Sequence, residues 1–205
     1  MGQVSANSEL DHPTKAQSMR IVAGKFRGKI LTSPSDDSIR PTADRVRESM
    51  FNILASRLGP VFDGVRVLDL FAGTGALGLE ALSRGASHVT FVDTGAEARG
   101  LIRDHIEAFG AGGITKLLRR DATDLGTPGT FGQFNLLFLD PPYGKGLGEQ
   151  ALAGIAANGW LAPGATIVFE ESADSEITVP EGFTLDDRRE YGAAAVHFLT
   201  FGKAG

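Results

Sequence analysis

The residues that are best suited by type and position to take part in chemistry are the consecutive Asp140, Pro141, Pro142 and Tyr143. They follow the apolar run 134–139, which is typical of a strand buried on both faces of a parallel sheet. Open α/β sheets bind ligands at the carboxyl ends of their strands, where Asp140 would lie. The two prolines remove backbone donors and stiffen the turn, so acceptors stand beside an aromatic face. This combination suits a planar group that carries an amine, such as a nucleobase. A rigid surface turn is the plainer alternative, which the position after a buried strand disfavours.

A glycine-rich loop forms a second candidate site. It follows Asp69 and contains Gly73, Gly75 and Gly78. Glycines at the first two positions permit positive φ and a close approach of the backbone to a ligand. Asp93 ends the next predicted strand, 20 residues after Gly73, where a carboxylate can accept both hydroxyls of a ribose. The pattern predicts a nucleoside-containing cofactor, and by itself it also satisfies the dinucleotide fingerprint.

Two carboxylates favour a cationic cofactor over a dinucleotide. Asp69 lies four residues before Gly73, where it would attract an ammonium or a sulfonium but would not help to bind a pyrophosphate. Asp140 has no evident role in hydride transfer, so a nicotinamide-dependent oxidoreductase is the disfavoured alternative. Asp121 and Ala122 follow the third predicted strand, where the carboxylate could reach an adenine amine or simply form a turn.

Strands and helices alternate from residue 65 onward, which predicts the frame that positions these residues. The predicted strands are 65–70, 88–92, 116–119, 134–139 and 165–170, and the predicted helices are 76–84, 96–109 and 149–157. Such alternation predicts an α/β, Rossmann-like fold with a mostly parallel sheet and right-handed crossovers. Strands 183–190 and 194–201 follow without an intervening helix, so they predict an antiparallel C-terminal hairpin that completes seven strands.

The N-terminal third has a different character. Residues 1–18 are polar and predict a disordered tail, whereas residues 19–40 predict a small β-hairpin and a loop. A helix is expected after Pro41, with Thr42 as its cap and Asp44 in its first turn. The remainder, residues 41–205, is of a length that fits one domain.

Charge is unevenly distributed. The chain has a net charge of −5, yet residues 15–47 contain eight basic and three acidic side chains. A basic segment on an acidic body predicts a polyanionic partner, although an ordinary solvated face is the alternative. The candidate contacts are Arg20, Lys25, Arg27, Lys29, Arg40 and Arg45. The hairpin, with Phe26 at its tip, could lie on a nucleic-acid backbone or could serve as a structural cover.

Several classes of protein are disfavoured. The absence of cysteine excludes disulfides and thiolate metal sites, and the four scattered histidines predict no metal centre. No apolar stretch approaches 18 residues and the N-terminus lacks a hydrophobic signal core, so we expect no membrane association and a cytoplasmic location. We also expect a monomer.

The motifs together resemble a known group of enzymes. Asp69-x-Phe71-x-Gly73-x-Gly75 with Asp140–Tyr143 resembles the class I S-adenosylmethionine-dependent amino-methyltransferases. Three further segments, 20–28, 40–48 and 76–84, resemble the bacterial family that methylates the 2-amino group of one guanine in 16S ribosomal RNA. The resemblance extends from about residue 19 to residue 201.

The resemblance implies that S-adenosyl-L-methionine is the cofactor and that residues 41–205 form the methyltransferase domain. It implies cofactor contacts from Asp69, Phe71, Gly73, Gly75, Asp93, Thr94, Asp121, Ala122 and Thr42. It implies that residues 140–143 hold the target base and that residues 40–45 lie near cofactor and RNA. The partner would be 16S ribosomal RNA or an assembly intermediate of the small subunit. This chain departs from the family at Gly95, where a second acidic residue is usual.

Two alternatives share this fold. A DNA adenine amino-methyltransferase uses the same loop, although it usually adds a target-recognition segment. An RNA-binding factor that keeps the fold without catalysis is the non-enzymatic alternative.

Overall fold

The computed structural model describes residues 19–33 and 44–202. Arg40 and Thr42, as well as the predicted tail 1–18, lie outside the described residues. Within them the predicted α/β fold class is confirmed.

Seven strands form the central sheet. They are β3 (Arg66–Leu70), β4 (His88–Val92), β5 (Thr115–Leu118), β6 (Phe134–Leu139), β7 (Leu161–Ser172), β8 (Phe183–Tyr191) and β9 (Ala194–Phe201). Their order across the sheet is β5-β4-β3-β6-β7-β9-β8. The first five are parallel, and β9 lies antiparallel between β7 and β8.

Four α-helices accompany the sheet among the described residues. They are α1 (Asp44–Leu58), α2 (Ala76–Ser83), α3 (Ala96–Ala108) and α4 (Leu147–Ala157), with short 3-10 turns at Gly112–Ile114 and Gly129–Phe131. The predicted boundaries hold to within a few residues, except that β7 begins four residues earlier than predicted. A register shift between Phe134 and Leu136 of β6 lets β7 pair with β6 from Leu161 onward. Such a bulge accommodates Pro163 and Gly164, which lie within β7.

Apolar residues fill both faces of the sheet. On β6, Leu136 and Phe138 belong to the cluster that includes residues of α1 and α2, whereas Leu137 and Leu139 belong to the cluster that includes residues of α4. This alternation has the period of two that places successive side chains on opposite faces. Burial on both faces explains why the strand is a continuous apolar run.

The strand order creates a crevice. From β3 the chain proceeds outward to β4 and β5, and then returns to place β6 on the other side of β3. The connections at the carboxyl ends of β3 and β6 therefore diverge, which is where open α/β sheets bind their ligands. Asp69 and Asp140 are thus brought to one place, although they are 71 positions apart along the chain.

The N-terminal hairpin pairs β1 (Met19–Arg20) with β2 (Ile30–Leu31), as predicted. It is anchored to α2 by a buried carboxylate. Glu80, fully inaccessible to solvent, accepts hydrogen bonds from the backbone amides of Val22 at 2.8 Å and Ala23 at 3.0 Å. Ser83 of the same helix accepts a 2.9 Å hydrogen bond from the amide of Phe26. These contacts give the hairpin a structural role as a cover over α2.

Arg47 belongs to the basic N-terminal segment but is not part of an exposed basic surface. The structure buries it completely between Glu80, at 3.7 Å, and Asp44, at 2.8 Å. Its guanidinium is therefore part of the anchor of the hairpin and does not face a polyanion.

No helix among residues 19–33 and 44–202 is long and apolar enough to cross a membrane.

Candidate active site

The glycine-rich loop between β3 and α2 adopts the backbone expected of a ligand-binding turn. Gly73 and Gly75 have φ values of 56° and 76°, in the left-handed region that glycine tolerates. Phe71 also has a positive φ, of 54°, and is the only non-glycine residue in the described part of the chain that does. For a bulky residue this conformation is unfavourable by about 1–2 kcal/mol. Strain of this kind is concentrated at binding sites.

Gly78 serves a different purpose from the other two glycines. A Cβ atom at this position would lie 2.4 Å from the ring of Phe91 and 2.8 Å from the carboxylate of Asp69. The absence of a side chain therefore allows α2 to pack closely against the sheet. It also allows the amide of Gly78 to donate a 2.9 Å hydrogen bond to Asp69.

Asp69 has the most perturbed ionisation in the site. Its side chain is almost inaccessible in the free protein, and burial raises its pKa to about 8. Burial is the largest cause, and the negative charge of Asp93 adds to it. The hydrogen bond from Gly78 acts in the opposite direction and lowers the pKa, but by less than burial raises it. At neutral pH a carboxyl group in this state is mostly protonated, and a nearby cation would favour its ionised form.

Asp93, after β4, is held in a fixed orientation. One carboxylate oxygen accepts a 2.9 Å hydrogen bond from the amide of Gly73, and the other accepts a 2.7 Å bond from the amide of Gly95. Each oxygen retains capacity for a further hydrogen bond, since an ionised carboxylate accepts about four. A side chain at position 95 would begin 3.1 Å from Asp93, so the glycine found there leaves room around this carboxylate.

Asp140 and Pro141 follow β6 directly, and Asp140 is half-buried while Pro141 is buried. Tyr143 donates its hydroxyl hydrogen to Glu170 at the carboxyl end of β7. The next amide, of Gly144, donates a 3.0 Å hydrogen bond to Glu171. Two neighbouring glutamates therefore hold the turn that contains the predicted base-binding residues.

One cavity of about 560 Å³ joins these features. Predicted residues that line it are Asp69, Phe71, Gly73, Asp93, Thr94, Asp140, Pro141, Pro142 and Tyr143. Its volume is in the range of pockets that bind small molecules. Five carboxylate side chains line it, those of Asp69, Asp93, Glu97, Asp140 and Glu170, and among the described residues no lysine or arginine does. Such a lining offers hydrogen-bond acceptors and favours cationic or donor-rich ligands.

A smaller cavity of about 230 Å³ adjoins the first and shares Phe71, Asp93, Thr94 and Pro142 with it. Asp121 and Ala122 line only this second cavity. Asp121 accepts hydrogen bonds from the hydroxyl of Thr123 at 2.7 Å and from its amide at 2.9 Å. The hydroxyl bond is the main reason why the pKa of Asp121 is lowered. The hydrogen bonds of Asp121 are those of a turn residue, as the first alternative predicts. Its position in the wall of the smaller cavity is the one that binding of an adenine would require.

The other predicted contacts are distributed around the site. Gly75 lies between the lining residues Thr74 and Ala76 and caps α2. The side chains of Arg20, Lys25, Arg27 and Lys29 are exposed on the hairpin, and that of Arg45 is exposed on α1. None of these five lines either cavity. The basic surface and the acidic cavity are therefore separate features.

Two of the hairpin lysines have structural contacts. Lys29 donates a 2.9 Å hydrogen bond to the carbonyl of Ala108 and lies 4.7 Å from the ring centre of Phe109. Lys25 lies 4.7 Å from the ring centre of Phe26, which itself packs on Phe109 with the ring centres 4.9 Å apart. Of the two uses considered for Phe26, these contacts support the structural cover.

Sequence reasoning did not select ten of the residues that line the cavity, and Met19, Glu97 and Glu170 are three of them. Glu170 follows the apolar run 165–169, so the argument that selected Asp140 could have found it. Glu97 was not selected because an acidic residue is common in the first turn of a helix and needs no functional explanation there. Met19 had no signal, since only the packing of the hairpin brings it to the cavity.

His105 links the glycine-rich loop to the hairpin. Its Nδ1 is 3.0 Å from the carbonyl oxygen of Thr74, which requires that this nitrogen carry the hydrogen. Its Nε2 accepts a 2.9 Å hydrogen bond from the amide of Thr32. Burial lowers the pKa of His105, consistent with a neutral ring. No group of three or more potential metal ligands occurs within the described ranges.

The chain can be compared with known proteins on this basis. The family model described as conserved hypothetical protein 95 matches residues 19–200. The chain belongs to this family. This match, together with the named relatives described next, confirms the family resemblance identified from the sequence.

Curated members and solved structures extend the match over nearly the whole chain. Ribosomal RNA small subunit methyltransferase D of Escherichia coli K12 is 36% identical over 178 residues, covering 86% of this chain and 87% of that protein. The putative rRNA methyltransferase YlbH of Bacillus subtilis is 35% identical over 181 residues, covering 87% and 96%. The structure of the putative methyltransferase yhhF from Escherichia coli superimposes with a TM-score of 0.76 at 34% identity, covering 90% and 98%.

Proposed function

We propose that the protein is an S-adenosyl-L-methionine-dependent methyltransferase that modifies the exocyclic 2-amino group of a guanine in 16S ribosomal RNA. One observation carries the proposal: the glycine-rich loop and the turn 140–143 line one acceptor-rich cavity at the crevice of the sheet. The relatives from Escherichia coli and Bacillus subtilis are named as ribosomal RNA methyltransferases, which supports RNA as the substrate.

The lining of the cavity fits this cofactor. An acidic wall without basic side chains among the described residues suits a molecule with an ammonium and a sulfonium. Asp93 would accept the ribose hydroxyls, and Asp69 would be stabilised in its ionised form by the cationic end. Asp121 and Ala122 would receive the adenine in the smaller cavity. We include Thr94 and Thr42 among the cofactor contacts, as the resemblance implies.

When bound, the cofactor would supply an electrophilic methyl group. The protein must then orient a poor nucleophile, because the lone pair of a guanine 2-amino group is delocalised into the ring. Hydrogen bonds from that amine to the Asp140 carboxylate and to the Pro141 carbonyl would favour a pyramidal nitrogen. Positioning of this kind supplies much of the rate enhancement in such a reaction. Asp140 would also stabilise the positive charge that develops on nitrogen, and Tyr143 would stack on the extruded base.

The basic side chains outside the cavity would hold the RNA. Arg20, Lys25, Arg27, Lys29 and Arg45 are exposed on the hairpin and on α1. We include Arg40 among the RNA contacts, as the resemblance implies. Met19, at the start of the hairpin, also lines the cavity, so RNA bound to the hairpin would be near the site of transfer. A monomer that acts in the cytoplasm on the RNA or on an assembling small subunit completes the proposal.

The test replaces Asp140 with alanine. We expect Asp140→Ala to reduce methyl transfer at least about 10²-fold, as loss of a group that stabilises developing charge does, while cofactor affinity stays near that of the wild type. The matched control is Asp124→Ala, which removes an exposed carboxylate. Transfer of labelled methyl groups to small-subunit RNA and particles, with duplex DNA in parallel, measures the activity.

Mapping the modified nucleotide separates the alternatives. Methylation of an adenine in DNA would support the DNA enzyme, and no transfer to any substrate would support the non-catalytic RNA-binding factor. Near-normal turnover by Asp140→Ala would reject the catalytic role of the turn.

A further inference from the structure

The proposed mechanism does not use a pair of buried, consecutive glutamates, the first of which lines the cavity. Glu170 and Glu171 are only 7% and 3% exposed. Burying a carboxylate is unfavourable by several kcal/mol unless hydrogen bonds replace its water. The groups that they contact should therefore identify what they do.

Both glutamates contact the turn 140–143 and its neighbour. Glu170 accepts the hydroxyl hydrogen of Tyr143, and Glu171 accepts hydrogen bonds from the amides of Gly144 and Ser172 at 3.0 Å and 2.7 Å. The strand register explains this arrangement. Leu139 of β6 pairs with Phe169 of β7, so Glu170 is the next residue along β7 at the level where Asp140 follows β6. The two strands thus place an acceptor for the amine and an acceptor for the phenol side by side.

We propose that Glu170 is a positioning residue that fixes the ring of Tyr143 for stacking on the target base. The inference rests on the proposed methyl transfer to a base. A hydrogen bond to a charged acceptor is stronger than one to a neutral acceptor, so the phenol is held in one orientation at the cavity wall. The hydrogen bond to Glu170 also increases the electron density of the Tyr143 ring. The negative face of the ring then stabilises the positive charge that the base acquires during transfer.

This role predicts a particular kinetic signature. The ring contact strengthens as charge develops on the base, so its loss should lower kcat more than it raises KM for RNA. Binding of the cofactor should be unaffected. A merely structural role for Glu170 would instead lower stability and change all these quantities together.

The experiment is a double-mutant cycle with Glu170→Gln and Tyr143→Phe. Each variant removes the charged hydrogen bond while keeping the shape of the side chain. We expect each to lower kcat about tenfold, which corresponds to about 1.4 kcal/mol, with KM for RNA within about twofold of the wild type. The double variant should also lose only about tenfold, because both changes remove one interaction. Glu176→Gln, an exposed carboxylate in the loop after β7, is the matched control and should retain wild-type kcat.

A second readout does not depend on activity. The chain has two tyrosines, Tyr143 and Tyr191, so fluorotyrosine labelling yields two ¹⁹F resonances that Tyr191→Phe assigns. Glu170→Gln should shift and narrow the signal of Tyr143 as the ring gains freedom, while that of Tyr191 remains in place.

The outcomes are distinguishable. Wild-type kcat in Glu170→Gln, an effect confined to KM, a loss of about a hundredfold in the double variant, or an unchanged Tyr143 resonance would each overturn the positioning role. If the wild type transfers no methyl group to any RNA, the proposed function fails, and the ¹⁹F spectra still decide whether Glu170 positions Tyr143.

Discussion

The raised pKa of Asp69 predicts how cofactor binding depends on pH. In the free protein, burial raises this pKa to about 8. At pH 7 a group with that pKa is ionised in about one molecule in ten. If the proposed cationic cofactor binds the ionised form, its apparent affinity at pH 7 is about tenfold below the affinity of the fully ionised site.

The sign of the dependence follows from linkage. A bound cation lowers the pKa of Asp69, so binding near pH 7 releases a proton and affinity rises with pH toward about 8. Above that value the amino group of the cofactor loses its own proton, since α-amino groups titrate near pH 8. Affinity should therefore pass through a maximum near pH 8, with Asp69 responsible for the rising limb.

Asp69→Asn is the perturbation that tests this reasoning. The amide keeps an oxygen that can accept the hydrogen bond from Gly78, but it cannot ionise. We expect the rising limb to disappear while the falling limb remains. Calorimetric titration with the cofactor between pH 6 and pH 9, in buffers of different ionisation enthalpy, measures both the affinity and the proton released. Asp124→Asn provides an exposed control and should behave like the wild type.

The stability of the free protein provides an independent check on Asp69. Its pKa is raised from an ordinary value of 3.8, so its contribution to stability is present below about pH 4 and is lost as the pH rises toward 8. The free energy of unfolding of Asp69→Asn minus that of the wild type should therefore be larger at pH 8 than at pH 5. An affinity that does not change between pH 6 and pH 8, or a variant with the same rising limb, would refute this account.

Two further predictions concern the hairpin. Gly24→Ala should lower the free energy of unfolding by about 1–3 kcal/mol in denaturant titration, because its Cβ would lie 1.9 Å from the carbonyl oxygen of Ser83. Gly28→Ala is the matched control: φ is +82° there, against +81° at Gly24, but no atom lies within 4 Å of its Cβ, so equal losses would contradict the packing argument. Arg27→Glu should weaken RNA binding without changing cofactor affinity. The slope of log binding constant against log salt concentration should become shallower by about one unit, the amount expected for one lost phosphate contact, and filter binding at several salt concentrations measures it. Lys29→Glu is a poorer probe because Lys29 also bonds to Ala108, and an unchanged salt slope in Arg27→Glu would remove that residue from the RNA surface.

Much of the sheet could be predicted from the sequence because its signals are local. The apolar runs, their length and the glycines that end the helices indicate strands and helices without knowledge of their neighbours. Asp69, Asp93 and Asp140 were identifiable for the same reason, since each lies at or just after the end of an apolar strand. The conformations of Gly73 and Gly75 were likewise predictable, because glycine adopts a left-handed turn without steric cost.

Other features depended on contacts between residues that are distant in the sequence. In the sequence, Glu80 and Arg47 look like exposed helical charges. Both are buried because the hairpin packs against them, although Ala23 of the hairpin is 57 positions from Glu80. The hydrogen bond between Tyr143 and Glu170 exists because β7 pairs with β6 in one register, and a shift of one residue would turn Glu170 to the other face. Local patterns thus determined which residues could do chemistry, whereas the pairing of strands and the seating of the hairpin decided which of them meet. The physical reason is that burial and register are properties of two segments together, and neither segment contains them alone.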